Sequence, residues 1–337
     1  MNITVLGAGA WGTALAIAVA PRCNVMLWGR NASAMRNAAE RRENTATLPG
    51  FAFPEDLSVT SDLERALAHL SDGGNFDQSL LVVATPVSGL RSIAGQLNGR
   101  QIPNLIWLCK GMEAETGLIP HQVLSEVLGT GIDSGALSGP SFAQEVAGGL
   151  PCALTIASKS ASLRQLAVKA FNGGNMRIYT TDDVIGVEVG GAVKNILAIA
   201  AGIADGLGLG MNARAALITR GLAEITRLGI ALGGRPETFM GLTGMGDLIL
   251  TCTGDLSRNR QVGVALAQGK SLDAIVAELG HVAEGVRCAR AVQALAAERG
   301  IDMPITNAIA GVLFMDMSII DMIAQLLSRH TKDEWEA

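Results

Sequence analysis

Lys194 stands where a lysine is least at home. Residues 187–210 read VEVGGAVKNILAIAAGIADGLGLG, and nearly every position from 189 to 203 is apolar or small on all faces of a helix. A helix of that kind belongs inside a protein. A buried, unpaired ammonium is costly or gives up its proton. Lys194 therefore needs a carboxylate, a polar cavity or a negatively charged ligand, and in such a place it can transfer protons. The plainer alternative is a lysine that snorkels to a helix edge. Asn195 is polar at the same depth.

Further along, residues 241–253 read GLTGMGDLILTCT and set Asp247 among apolar and glycine residues. A lysine is its natural partner, since a carboxylate and an ammonium offset each other's desolvation. Ser257-Arg258-Asn259-Arg260 then opens a helix. Ser257 suits an N-cap. The arginines, Asn259 and free N–H groups also suit a phosphate. Glu284 reads most simply as a first-turn acid.

The N-terminus carries a second kind of chemistry. NITVL runs straight into GAGAWG and then a helical pattern. In this strand, turn and helix, Gly7 permits the tight turn, Gly9 lets backbone approach a pyrophosphate, and Gly12 lets the helix pack on the strand. The helix N-terminus adds free N–H groups and a positive dipole end. After the second strand, residues 24–28, the chain reads Gly29-Arg30-Asn31 where an NAD-specific site would usually place an acid. Arg30 suits a 2′-phosphate, which favours NADP(H) while leaving NAD(H) open.

These groups need elements to hold them. Strands are expected at residues 57–60, 79–84, 105–109, 135–137, 151–157 and 176–180. Helices are expected at 62–70, 87–97 and 162–171. Lys110 leaves the carboxyl end of one strand, where open parallel sheets bind ligands. SGPSFAQEVA, residues 138–147, is another turn before a helix. From Asp182 onward only helical periodicity remains, near 183–204, 212–232, 259–268, 272–279, 284–299 and 305–328. The fold class is α/β: an N-terminal Rossmann-type doubly wound sheet in residues 1–180, then an all-α domain in 181–337.

The 337 residues are 49% hydrophobic, 17% charged and carry a net charge of −5. That composition suits large cores and argues against general nucleic-acid binding, which favours basic stripes. Five scattered cysteines without CxxC suggest buried thiols in the reducing cytoplasm. The four histidines have no metal-ligand spacing and read as surface or loop residues, so no metal is expected. The apolar stretches at 1–20 and 301–327 are interrupted by glycines or acids, and neither reads as a membrane span.

GAGAWGTALA, KGME, SGPSFAQEVA, the long block from 187 to 229, GLTGMGDLILTCT, SRNRQVG and VAEGV occur in this order. Together they resemble the NAD(P)-dependent glycerol-3-phosphate dehydrogenases of bacteria over nearly the whole chain. The resemblance implies reversible reduction of dihydroxyacetone phosphate to sn-glycerol 3-phosphate, the backbone of glycerophospholipids. It implies that Lys194 is the proton acceptor, assisted by Lys110 and Asp247. It carries substrate contacts onto Lys110, Gly139, Ser141, Lys194, Asp247, Ser257, Arg258 and Asn259. Cofactor contacts fall on Ala10, Trp11, Arg30, Lys110, Ala143, Arg258, Val282 and Glu284, besides the three glycines. Many members carry serine where this chain has Ala10, so any hydroxyl contact there is missing. A homodimer is one assembly open to the apolar C-terminal helices. The rival readings are another β-hydroxyacid-type NADP dehydrogenase and a non-catalytic NADP-binding sensor.

Overall fold

The computed structural model describes residues 1–279 and 283–329. The chain divides into two compact units, Met1–Cys109 with Pro120–Val184, and Lys110–Ile119 with Ile185–Ala337. The division is not linear in sequence, because the segment that begins at Lys110 goes with the second unit.

In the first unit, the apolar and β-branched runs form β1 (Asn2–Leu6), β2 (Asn24–Trp28), β3 (Leu57–Thr60), β4 (Leu80–Val83), β5 (Leu105–Trp107), β6 (Ser134–Ser138), β7 (Cys152–Ala157) and β8 (Met176–Thr181). Its helices are α1 (Ala10–Val19), α2 (Ala32–Arg41), α3 (Leu63–Ala68), α4 (Val87–Leu97), α5 (Pro120–Leu128), α6 (Ala143–Ala147) and α7 (Ala161–Phe171). The strands make one sheet in the order β3-β2-β1-β4-β5-β6-β7-β8. Pairing is parallel from β3 through β6. Every residue of β1 and β4 is buried, as a sheet covered on both faces requires. Strand order reverses between β1 and β4, which makes their carboxyl ends the switch point where such sheets bind ligands.

The sheet is not parallel throughout. β7 runs antiparallel to β6, and β8 is parallel to β7. An antiparallel neighbour needs no long crossover, and only the short α6 lies between β6 and β7. Helices α2 and α5 lie outside the helices anticipated from periodicity.

The second unit is helical: α8 (Val184–Gly206), α9 (Gly210–Ala231), α10 (Pro236–Phe239), a π-helical turn at Leu242–Gly246, α11 (Asp247–Thr253), α12 (Arg258–Ala267), α13 (Leu272–Leu279), α14 (Glu284–Glu298), α15 (Pro304–Phe314) and α16 (Ile319–Leu327). α8 is long and apolar enough to cross a membrane, but 94% of its most apolar window is buried inside the protein. It is the core helix that the composition suggests, packed with Ile225, Leu228, Phe239, Leu248 and Val292. Its backbone touches that of α12. A Cβ on Gly202 would lie 2.0 Å from Arg260 O, and one on Gly263 would lie 2.0 Å from Ile199 O.

The single helix expected over 305–328 is two. Asp316 adopts φ 52°, ending the run after Phe314, and Ser318 caps α16 by accepting from Asp321 N at 3.0 Å. His69 is also not a surface residue. It is buried, with Nδ1 3.0 Å from Thr4 Oγ1, and burial pushes its imidazole below the ordinary histidine range. Of the thiols, Cys252 and Cys288 are buried, while Cys23, Cys109 and Cys152 are half-buried.

Candidate cofactor cradle and lysine centre

The three N-terminal glycines have three separate physical jobs. Gly7 follows β1 with φ 129°, and a Cβ there would lie 2.7 Å from the Ala84 carbonyl carbon beyond β4. Only glycine fits such a backbone at such a contact. A Cβ on Gly12 would lie 2.1 Å from Gly7 O, so α1 could not sit this close to the turn with any side chain. At Gly9 nothing lies within 4 Å of the Cβ position. The backbone there is open to a pyrophosphate. Gly9 is also the N-cap of α1, and no side chain caps that helix. The uncapped N–H groups and dipole end suit an anion. Asn44 braces the turn by donating to Ala8 O and Thr13 Oγ1, each at 2.9 Å, and Thr47 donates to Ala8 O at 3.0 Å. Nothing in the local pattern points to Asn44 or Thr47, because they reach the turn from another segment.

Ala10 and Trp11 open α1. The Trp11 indole donates to Ser141 O at 3.1 Å and to Ser141 Oγ at 3.0 Å. Ser141 Oγ in turn donates to Gly139 O at 3.2 Å, and Ala143 begins α6. Thus Trp11, Gly139, Ser141 and Ala143, drawn from two distant stretches, gather in the first unit. Arg30 is exposed just beyond β2, and the next residue, Asn31, caps α2 by accepting from Ser33 N and Ala34 N.

The second unit brings Lys110, Lys194 and Asp247 together. Lys194 Nζ donates to Asp247 Oδ1 at 2.5 Å and to Thr251 Oγ1 at 2.9 Å. Lys110 Nζ donates to Asp247 Oδ2 at 2.7 Å. The Asp247 side chain is only 2% exposed and that of Lys194 7%, whereas Lys110 retains 20%. Burial lowers the Lys194 pKa; Asp247 opposes this, Lys110 adds to it, and the result is about 8. Burial alone would raise the Asp247 carboxyl, but Lys110 and Lys194 outweigh it and hold it below the usual carboxylate range.

The π-helical turn delivers Asp247 to α8. Gly190 lets it approach, since a Cβ there would lie 2.6 Å from Thr243 O. Thr251 Oγ1 donates to Asp247 O at 2.6 Å, one turn back along α11, and so presents a lone pair to Lys194. Asn195, the next residue after Lys194, belongs to a separate set of buried amide contacts. Asn259 Nδ2 donates to Asn195 Oδ1 at 3.0 Å, and Gly285 N donates to Asn259 Oδ1 at 3.0 Å. Thr251 and Asn195 were absent from the expected site. Asn195 was visible as a polar residue in an oily helix, and Thr251 only through its one-turn spacing from Asp247.

Ser257 caps α12, accepting from Arg260 N at 3.3 Å. Arg258, next in line, is exposed. Arg260 is engaged elsewhere: its Nε donates to Asp205 Oδ2 at 2.6 Å and its Nη1 to Asp255 Oδ1 at 2.9 Å. The expected pair of arginines on a phosphate is therefore reduced to Arg258. Glu284 begins α14 half-buried, and burial raises its carboxyl against the pull of Arg287 and Arg258. Val282 lies outside the described residues. Among the described residues no group of histidines, cysteines and acids could hold a metal.

A glycine turn at the switch point of a parallel sheet, with a helical unit that buries an amine on a carboxylate, defines a two-domain dinucleotide-dependent dehydrogenase. The chain belongs to the NAD-dependent glycerol-3-phosphate dehydrogenase family: residues 2–164 match the model of that family's N-terminus, and residues 183–324 match the model of its C-terminus. The glycerol-3-phosphate dehydrogenase (NAD(P)+) of Herminiimonas arsenicoxydans is 68% identical over 99% of both chains. That of Janthinobacterium sp. (strain Marseille) is 65% identical over 99% of both. The crystal structure of glycerol-3-phosphate dehydrogenase from Coxiella burnetii superposes with a TM-score of 0.91 at 37% identity, covering 97% of this chain and 99% of that one.

Proposed function

We propose that this chain catalyses the reversible NAD(P)H-dependent reduction of dihydroxyacetone phosphate to sn-glycerol 3-phosphate, supplying the backbone of glycerophospholipids. The observation that carries the reading is the buried Lys194 ammonium on Asp247, with a pKa of about 8. An amine poised there can give a proton in reduction and take one in oxidation near neutral pH. The nicotinamide, when bound, supplies or accepts the hydride.

The chain's residues do the rest. Gly7, Gly9, Gly12 and the N-terminus of α1, from Ala10 and Trp11, hold the pyrophosphate, and Ala143 contributes from α6. Arg30 reads a 2′-phosphate, so NADP(H) is preferred over NAD(H). Arg258 and Glu284 complete the cofactor contacts. Arg258, Asn259 and the capped start of α12 at Ser257 hold the substrate phosphate. Gly139 and Ser141 contribute further substrate contacts. Lys194 protonates the forming alkoxide oxygen. Lys110 stabilises negative charge on that oxygen, and Asp247 orients both amines. The reading extends to the cytoplasm, in keeping with five scattered cysteines that include no CxxC, and to a homodimer, which sedimentation analysis tests.

The deciding experiment is steady-state oxidation of NADPH and NADH by the purified protein, with dihydroxyacetone phosphate and with unphosphorylated dihydroxyacetone. Turnover that depends on the phosphate ester is expected. Failure of dihydroxyacetone phosphate to drive oxidation of either cofactor rejects the reading.

A further inference from the structure

We propose that Asp205 is a positioning residue for the phosphate-binding turn at the start of α12, an inference that rests on the assignment of that turn above. Asp205 stands on the last turn of α8, about three helical turns beyond Lys194. Its Oδ1 accepts from Arg214 Nε at 2.7 Å and also from Arg214 Nη2. Its Oδ2 accepts from Arg260 Nε at 2.6 Å. The carboxylate is thus held by two guanidinium groups, one from α9 and one from the first turn of α12.

The competing partner of Arg260 is weak. Asp255 has a side chain that is 96% exposed, whereas Asp205 and Arg260 retain 11% and 16%. Exposed pairs are screened and contribute little, while a half-buried charge-assisted pair holds its geometry. The Asp205 contact therefore sets where Arg260 sits.

Arg260 carries the rest of the turn with it. It is adjacent to Asn259, and its own N–H is the one that Ser257 Oγ caps. The Gly202 and Gly263 crossing fixes how closely α8 and α12 approach. Glycine on both helices brings the two backbones together, and the Asn259–Asn195 hydrogen bond ties α12 to α8 at one point. The Asp205 clamp adds a second tie near the end of α8, and two ties set how α12 turns and where Arg258 and Asn259 stand along the helix that carries Lys194. The pairing also neutralises a carboxylate that would otherwise oppose an anion at this turn. Asp205 has no part in proton transfer.

The test is Asp205→Asn in the full-length enzyme, assayed with dihydroxyacetone phosphate, with dihydroxyacetone, and with inorganic phosphate as inhibitor. KM for the phosphate ester and the phosphate inhibition constant should rise together by about tenfold or more, the scale on which small misplacements act. Turnover at saturation and kcat/KM for dihydroxyacetone should stay near wild type. Arg260→Met should reproduce the pattern, and the double variant should be no worse than the worse single, as expected of one shared contact. Equal losses on both substrates, or an unchanged KM for the phosphate ester, overturn the proposal. A wild-type enzyme that shows no preference for the phosphate ester and no inhibition by phosphate overturns the phosphate turn itself, before any variant is made.

Discussion

Lys194 and Asp247 are 53 positions apart in sequence, yet Nζ lies 2.5 Å from Oδ1, and neither side chain is more than 7% exposed. The pair is completed by Lys110 on the other carboxylate oxygen. A carboxylate shared in this way keeps one amine charged enough to donate and neutral enough to accept.

Replacing Lys194 by alanine should lower kcat/KM for dihydroxyacetone phosphate by at least roughly a hundredfold, the lower range for loss of acid–base help. Lys110 remains on Asp247, so the variant should fold, which circular dichroism checks. Turnover close to wild type removes Lys194 from the chemistry.

The pH dependence follows from the Lys194 pKa of about 8. Reduction needs the ammonium, so its kcat/KM should be highest at lower pH and fall as pH rises through that value. Oxidation of glycerol 3-phosphate needs the free amine and should rise over the same window. Asp247→Asn removes the charge that holds the pKa up, leaving burial and Lys110 unopposed. Both midpoints should then move to lower pH. Midpoints that stay in place after Asp247→Asn contradict this electrostatic account.

The glycine turn separates packing from binding. Gly12→Ala places a Cβ 2.1 Å from a backbone oxygen and should destabilise the first unit by about 1–3 kcal/mol, the usual cost of overpacking. Gly9→Ala meets nothing within 4 Å, so its melting temperature should match wild type while its affinity for NADPH drops. Calorimetry and a fluorescence titration read the two effects. An unstable Gly9→Ala, or one that binds NADPH normally, contradicts the assignment.

Arg30→Asp should weaken NADPH far more than NADH, because only the former carries the 2′-phosphate that Arg30 is assigned to read. The ratio of KM values for the two cofactors is the measurement. Equal effects on both show that Arg30 does not read that group.

What was legible in the sequence was either local or anomalous. Gly7, Gly9 and Gly12 lie within one strand, turn and helix, where neighbours along the chain decide the geometry. Lys194 and Asp247 stood out because a charge in an apolar run needs an explanation. The helix over 305–328 was misjudged because its apolar periodicity continues through Asp316, and periodicity carries no information about a left-handed residue. His69 reads as a surface or loop residue and is instead buried, because nothing in its neighbours along the chain announces the Thr4 hydroxyl beside it.

The sequence alone determined the change from an α/β half to a helical half, the dinucleotide turn and the need for a partner at each buried charge. Only the tertiary structure decided who the partners are. It gave Asp247 two amines rather than one, placed Thr251 on Lys194, and bound Arg260 to Asp205 instead of leaving it for a phosphate. The reason is physical: a hydrogen bond is settled over about 3 Å in space, and the chain brings residues from many helices within that distance only once the backbones at Gly190, Gly202 and Gly263 have closed on one another.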